Sequence, residues 1–262
     1  MRLILLPQKS FDKETAKSLG IIKGIAEKLL VSAGISVPKS FEFYNSFDKF
    51  VKRNAQEVID YGFPKNIASD FIKSSLHTST YGNYDFKRGV ILEMNSHPYF
   101  KEFYPAQQLL ELIIHESLHL ELRKKMGFEI NKLKFKFMVK NKTIKYAGIK
   151  KVLQLDEGFA TVFSKLLIKT LPKSNLQQIR KLAVWTSSKK LPAYKKSVGR
   201  YSIEKLVSFF NKTFEENSKK GVKIIYGKLK KIREKGIKSK IQSILDFVNE
   251  EIKSIASEHI YS

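Results

Sequence analysis

From Pro105 to Met126 the chain keeps an unbroken apolar spacing, with no glycine and no proline after the first position. Proline is tolerated in the first turn of a helix, and Gly127 stands where a helix is capped at its C-terminus. A helix over 105–126 is therefore expected, with Leu112, Leu118 and Leu122 available to bury its flanks. The same helix carries His115, Glu116 and His119, so any fold must bury one side of it and leave a polar constellation on another.

Residues four apart on a helix share a face, with Cβ atoms about 5 to 6 Å apart, so His115 and His119 can point at one metal ion. Glu116 lies about 100° further round, too far to join them as a ligand but within reach of a water beside that ion. The spacing thus separates two ligands from one base. About 0.006 H-E-x-x-H matches are expected by chance in a chain of this composition, so the motif is not ascribed to coincidence. With no cysteine and five histidines in the chain, a transition-metal site must be built from His and carboxylates. A catalytic zinc ordinarily has three protein ligands. His77, His97 and His259 are isolated, and neither a Gly nor a third His follows His119 at the spacing the metzincin pattern needs.

About forty residues further on comes LQLDEGFATVF, residues 153 to 163. Together with H-E-x-x-H it resembles the gluzincins, zinc metallopeptidases in which a downstream glutamate completes the site. The resemblance covers about residues 89 to 201. It implies Zn2+ held by His115, His119 and Glu157, Glu116 as general base, and Gly158 and Ala160 as the small residues that let this helix approach the H-E-x-x-H helix. The His119-to-Glu157 gap is wider than in compact gluzincins, and a hairpin over 133–148 is expected to absorb the excess. A plain structural reading of Asp156 and Glu157 is an acidic first turn favoured by the helix dipole. AYKKSVGRY, residues 193 to 201, resembles the Tyr-x-Lys-Gly stretch of aminopeptidase-like members, with Ser197 in place of Gly. By that resemblance Tyr194, or second Tyr201, stabilises the oxyanion. VILEMN, residues 90 to 95, would be the strand on the rim of the cleft against which an extended substrate pairs. The exopeptidase signature is not matched on it, which favours cleavage of internal bonds.

Around these motifs the first 95 residues alternate strands and helices. RLILLP and FEFYNS read as strands, and 12–33, 47–61 and 64–77 read as helices, with YGNYDFKRG as a turn. After the hairpin, a helix is expected from about Leu155 to Thr170. Further helices follow, broken by Pro172, Pro192, Gly221 and Gly236, the last over 238–257. The expected class is α+β, a zincin-like core with a small mixed sheet and the active-site helix, followed by a mainly helical C-terminal half. The halves are 1–127 and 128–262, forming one catalytic unit.

No window is apolar enough for a membrane span, and the opening residues are too short for a secretory signal, so a soluble cytoplasmic protein is expected. The net charge of +24 is uneven: residues 1 to 130 hold 18 Lys/Arg against 15 Asp/Glu, and residues 131 to 262 hold 31 against 10. Lysines spread over many segments are compatible with an ordinary solvated surface. They also admit a different class of function, a nucleic-acid- or partner-binding protein with a structural or inactive zincin core and a basic C-terminal half, in which KIIYGKLKKIREKGIKSK (223–240) binds polyanions. A third possibility is a peptidase kept latent by residues 238–262 lying in its cleft. The favoured expectation is a zinc metallopeptidase acting on peptide or protein substrates.

Overall fold

The computed structural model describes residues 1–6, 8–60, 64–76, 82–85, 88–94, 105–126, 146–182, 197–198, 201–202, 216 and 218–259. The chain opens with β1 (Arg2–Leu6), a short 3-10 turn, and α1 (Lys13–Ser32). Asp12 caps α1 by accepting the Thr15 amide at 2.6 Å. Then come β2 (Ser40–Tyr44), α2 (Phe47–Asp60), α3 (Lys65–Leu76), β3 (Gly82–Asp85) and β4 (Val90–Met94). The four strands form one sheet in the order β1-β2-β4-β3. β1, β2 and β4 are parallel, with Leu3 beside Phe41 and Phe41 beside Ile91, while β3 runs antiparallel to β4.

Two expectations for this region need correction. Gly82–Asp85, read as part of a turn, is a strand. Gly, Asn and Asp have little intrinsic preference for extended structure, and pairing with β4 overrides it. Asp85 makes the connection by accepting the Arg88 amide at 3.0 Å, and Gly89 takes a φ of 65° that suits glycine. VILEM is hydrogen-bonded on both sides, by β2 and by β3, so it is not the rim of the sheet. Among the described residues the edges of the sheet are β1 and β3. Asp85 is fully buried and pairs with Arg53 of α2 at 2.7 Å and Arg88 at 2.6 Å, which fastens the end strand to the helical layer. Burial works against the Asp85 carboxylate, but the two guanidinium groups prevail and hold its pKa below the usual range.

From the sheet the chain enters α4 (Pro105–Met126), with the limits its sequence suggests. Ala106, Leu109, Leu110, Ile113, Ile114, Leu118 and Leu122 are all fully buried, because α4 is covered by α1 and the sheet on one side and by later helices on the other. Those later elements are α5 (Tyr146–Lys169), α6 (Lys173–Arg180), the two-residue strands β5 (Ser197–Val198) and β6 (Tyr201–Ser202), a helix α7 over 218–229, and α8 (Ile237–His259). α5 starts well before Leu155. Residues 146–148, expected to close a hairpin, are its first turn; the remainder of that hairpin, 133–145, lies outside the described residues. Gly221, expected as a break, lies inside α7, whereas Gly236 does separate α7 from α8.

The architecture is α+β, and one contiguous core runs from Leu19 of α1 through Ile113 of α4 and Phe159 of α5 to Ile252 of α8. α8 is part of that core, with Ile241, Ile244, Leu245, Val248 and Ile252 buried against α5 and α4. The latency model, with this segment resting in a cleft, is thereby set aside. Among the described residues no helix is long and apolar enough to cross a membrane.

Candidate metal centre

α4 and α5 lie side by side in the middle of the core and present their polar side chains to each other. The one-turn spacing of His115 and His119 brings their Nε2 atoms to 3.0 Å. From α5, Glu157 places Oε2 at 3.7 Å from His115 Nε2 and 3.6 Å from His119 Nε2. Zinc bonds of about 2.0 to 2.2 Å in a tetrahedron separate ligand atoms by about 3.3 to 3.6 Å. Two imidazole nitrogens and one carboxylate oxygen at these separations can hold a divalent ion. Among the described residues they form the one group of this kind. The donors alone do not choose the element, since two His and one carboxylate also suit iron(II).

Glu116, the next residue on α4, is buried in the same contact, 7% exposed. Burial raises its carboxyl pKa, partly opposed by the neighbouring His115 and His119. His119 Nδ1 is 2.7 Å from Asp156 Oδ1, and Asp156 Oδ2 accepts from Arg123 at 3.1 Å. Arg123 and Asp156 are fully buried. A carboxylate on Nδ1 fixes the imidazole's orientation and tautomer and leaves Nε2 free to bind a metal. Asp156 therefore orients the His119 ring. The helix-dipole reading of Asp156 and Glu157 fails because both lie well inside α5, where the terminal partial charge has faded. Asp156 and Arg123 are the residues that sequence reasoning missed. Arg123 follows His119 by four positions, so the helical repeat that linked His115 to His119 pointed to it as well.

In the metal-free chain, burial works against a charged His119, but Asp156 and Glu157 outweigh it and raise the pKa to about 10. Arg123 pairs with Asp156, which leaves Glu157 as the carboxylate facing both imidazole Nε2 atoms.

Gly158, one of the small residues expected to ease the approach to α4, makes its tightest approach to another helix. A Cβ on Gly158 would lie 2.3 Å from the carbonyl carbon of Gly221, and a Cβ on Gly221 only 1.8 Å from the Gln154 carbonyl oxygen. Gly158 thus serves the crossing of α5 with α7, and Ala160 is fully buried. Tyr194 lies outside the described residues. Tyr201 is in β6, its backbone paired with Val198. No family model matches the chain, and no curated protein or solved structure matches it either.

Proposed function

We propose that the chain is a zinc-dependent metallopeptidase of the gluzincin type that hydrolyses peptide bonds, favouring internal ones. The observation that supports this most is the convergence of His115, His119 and Glu157 with buried Glu116 next to them. Glu116 is also what favours hydrolysis over iron(II) chemistry, because it adds a base to the ligand triad. A zinc ion bound there would supply Lewis acidity and lower the pKa of a coordinated water.

The chain's own residues account for the remainder. Glu116 accepts a proton from the attacking water and passes it to the departing amine nitrogen. Asp156, braced by Arg123, holds the His119 ring with Nε2 towards Glu157, so the ligands are aligned before a substrate arrives. The core packing of α4 and α5 keeps bulk water from the inner side of the site. By the resemblance, Tyr194 or Tyr201 donates to the oxyanion. The end strand β3 takes the rim role first given to VILEMN, offering backbone groups to an extended peptide.

Elemental analysis and a peptidase screen on the parent and Glu116→Gln test this reading together. About one zinc per chain in both proteins is expected, with hydrolysis of an unfolded protein lost by about 10²- to 10⁴-fold in the variant. Iron in place of zinc, or an unimpaired variant, overturns it.

A further inference from the structure

α7 is held on α5 by the Gly158–Gly221 crossing and buries Ile225, with Val222 and Leu229 packed at the edge of the core. Its outer side is different. Lys220, Lys223, Tyr226 and Lys230 are all exposed. The Lys230 amide donates to the Tyr226 carbonyl at 3.1 Å, so the helical course continues to Lys230 and places Lys223, Tyr226 and Lys230 in one stripe. Lys231, Arg233 and Lys235 extend the charge into the turn before α8.

Two basic residues on neighbouring helices are paired with acids: Lys125 with Asp246 at 3.0 Å, and Lys151 with Glu251 at 2.9 Å. Among the described residues, Lys223, Lys230, Lys231, Arg233 and Lys235 form no ion pair. Glu234, an acid within this surface, accepts a hydrogen bond from Ser243. A predominantly basic surface of this kind complements a polyanion. Tyr226 is 39% exposed, and among the described residues only Val31, on α1, is also a large exposed hydrophobic. A lone ring gives a membrane little to take up. It gives a nucleobase a face to stack on.

We propose that the outer face of α7 and the turn after it bind single-stranded nucleic acid, with phosphates on Lys223, Lys230, Lys231 and Arg233 and a base on the Tyr226 ring. This surface is separate from the metal centre and does not depend on its chemistry. Fluorescence anisotropy of the full chain with labelled uridine and thymidine homo-oligomers, across a salt series, measures it. Binding is expected to weaken steeply with salt, each neutralised phosphate adding about −0.7 to the log–log slope. Tyr226→Ala should bind about tenfold more weakly and Tyr226→Phe like the parent, because stacking needs the ring and not the hydroxyl. The Lys223→Glu, Lys230→Glu double variant should lose binding while keeping its thermal transition, both side chains being exposed. Polyglutamate or anionic lipid vesicles competing as well as the oligomers would overturn the assignment. Unchanged affinity in Tyr226→Ala would do so too.

Discussion

His119 receives a carboxylate on each side of its ring, Asp156 at Nδ1 and Glu157 near Nε2, and most of the site's behaviour follows from that. Converting Asp156 to Asn keeps the shape but removes the charge that braces the ring and offsets Arg123. Metal affinity should fall about 10- to 100-fold, measured by competition with a chromophoric chelator. The thermal midpoint should fall too, since Arg123 is then buried without its counter-ion. The titration of His119 gives a second expectation. Its pKa of about 10 in the folded metal-free chain exceeds the 6.5 of an unperturbed imidazole, so the folded state holds this proton more tightly than the unfolded one. That contribution to stability is fully present below pH 6.5 and is lost as pH rises through about 10. Denaturant melts of the metal-free chain should show this decline. With zinc present the trend should reverse, because a ligand must shed its proton to bind metal.

Helix crossings set how closely these side chains meet. Gly158→Ala forces a Cβ to 2.3 Å from the Gly221 backbone and should cost about 1 to 3 kcal/mol, weakening metal binding as Glu157 shifts with the helix. Gly20→Ala and Gly24→Ala are the contrasting case, because neither Cβ meets anything within 4 Å inside α1. Each should stabilise by about 0.5 to 1 kcal/mol in the same melts. In sequence the three glycines look alike. α4 and α1 were legible because their apolar period and end signals lie within the segments themselves. The start of α5 was not, since Gly148 resembles a turn residue, yet the helix runs from Tyr146 to Lys169 and packs from Val152 onward against α4 and α8. β3 was missed for a related reason: its strand identity comes from β4.

Across the whole molecule, both terminal regions close over α4. Ending the chain at Gly236 removes Ile241, Ile244, Leu245, Val248 and Ile252 from the core, side chains worth about 1.5 to 3 kcal/mol each when fully buried. Such a truncation should abolish the cooperative thermal transition and yield no activation, as calorimetry and a peptidase assay would show. The α4 helix, the pairing of His115 with His119, the place of Glu116 beside them and the α+β alternation were legible in the chain, because each depends on spacing within one segment. The sequence nominated Glu157 through resemblance. Tertiary structure alone decided that Glu157 meets the two imidazoles, that Asp156 and Arg123 stand behind them, that Gly158 serves α7, and that β3 ends the sheet. The physical reason is distance along the chain: these contacts join residues dozens of positions apart, and only the packing of helices on a shared core brings them together.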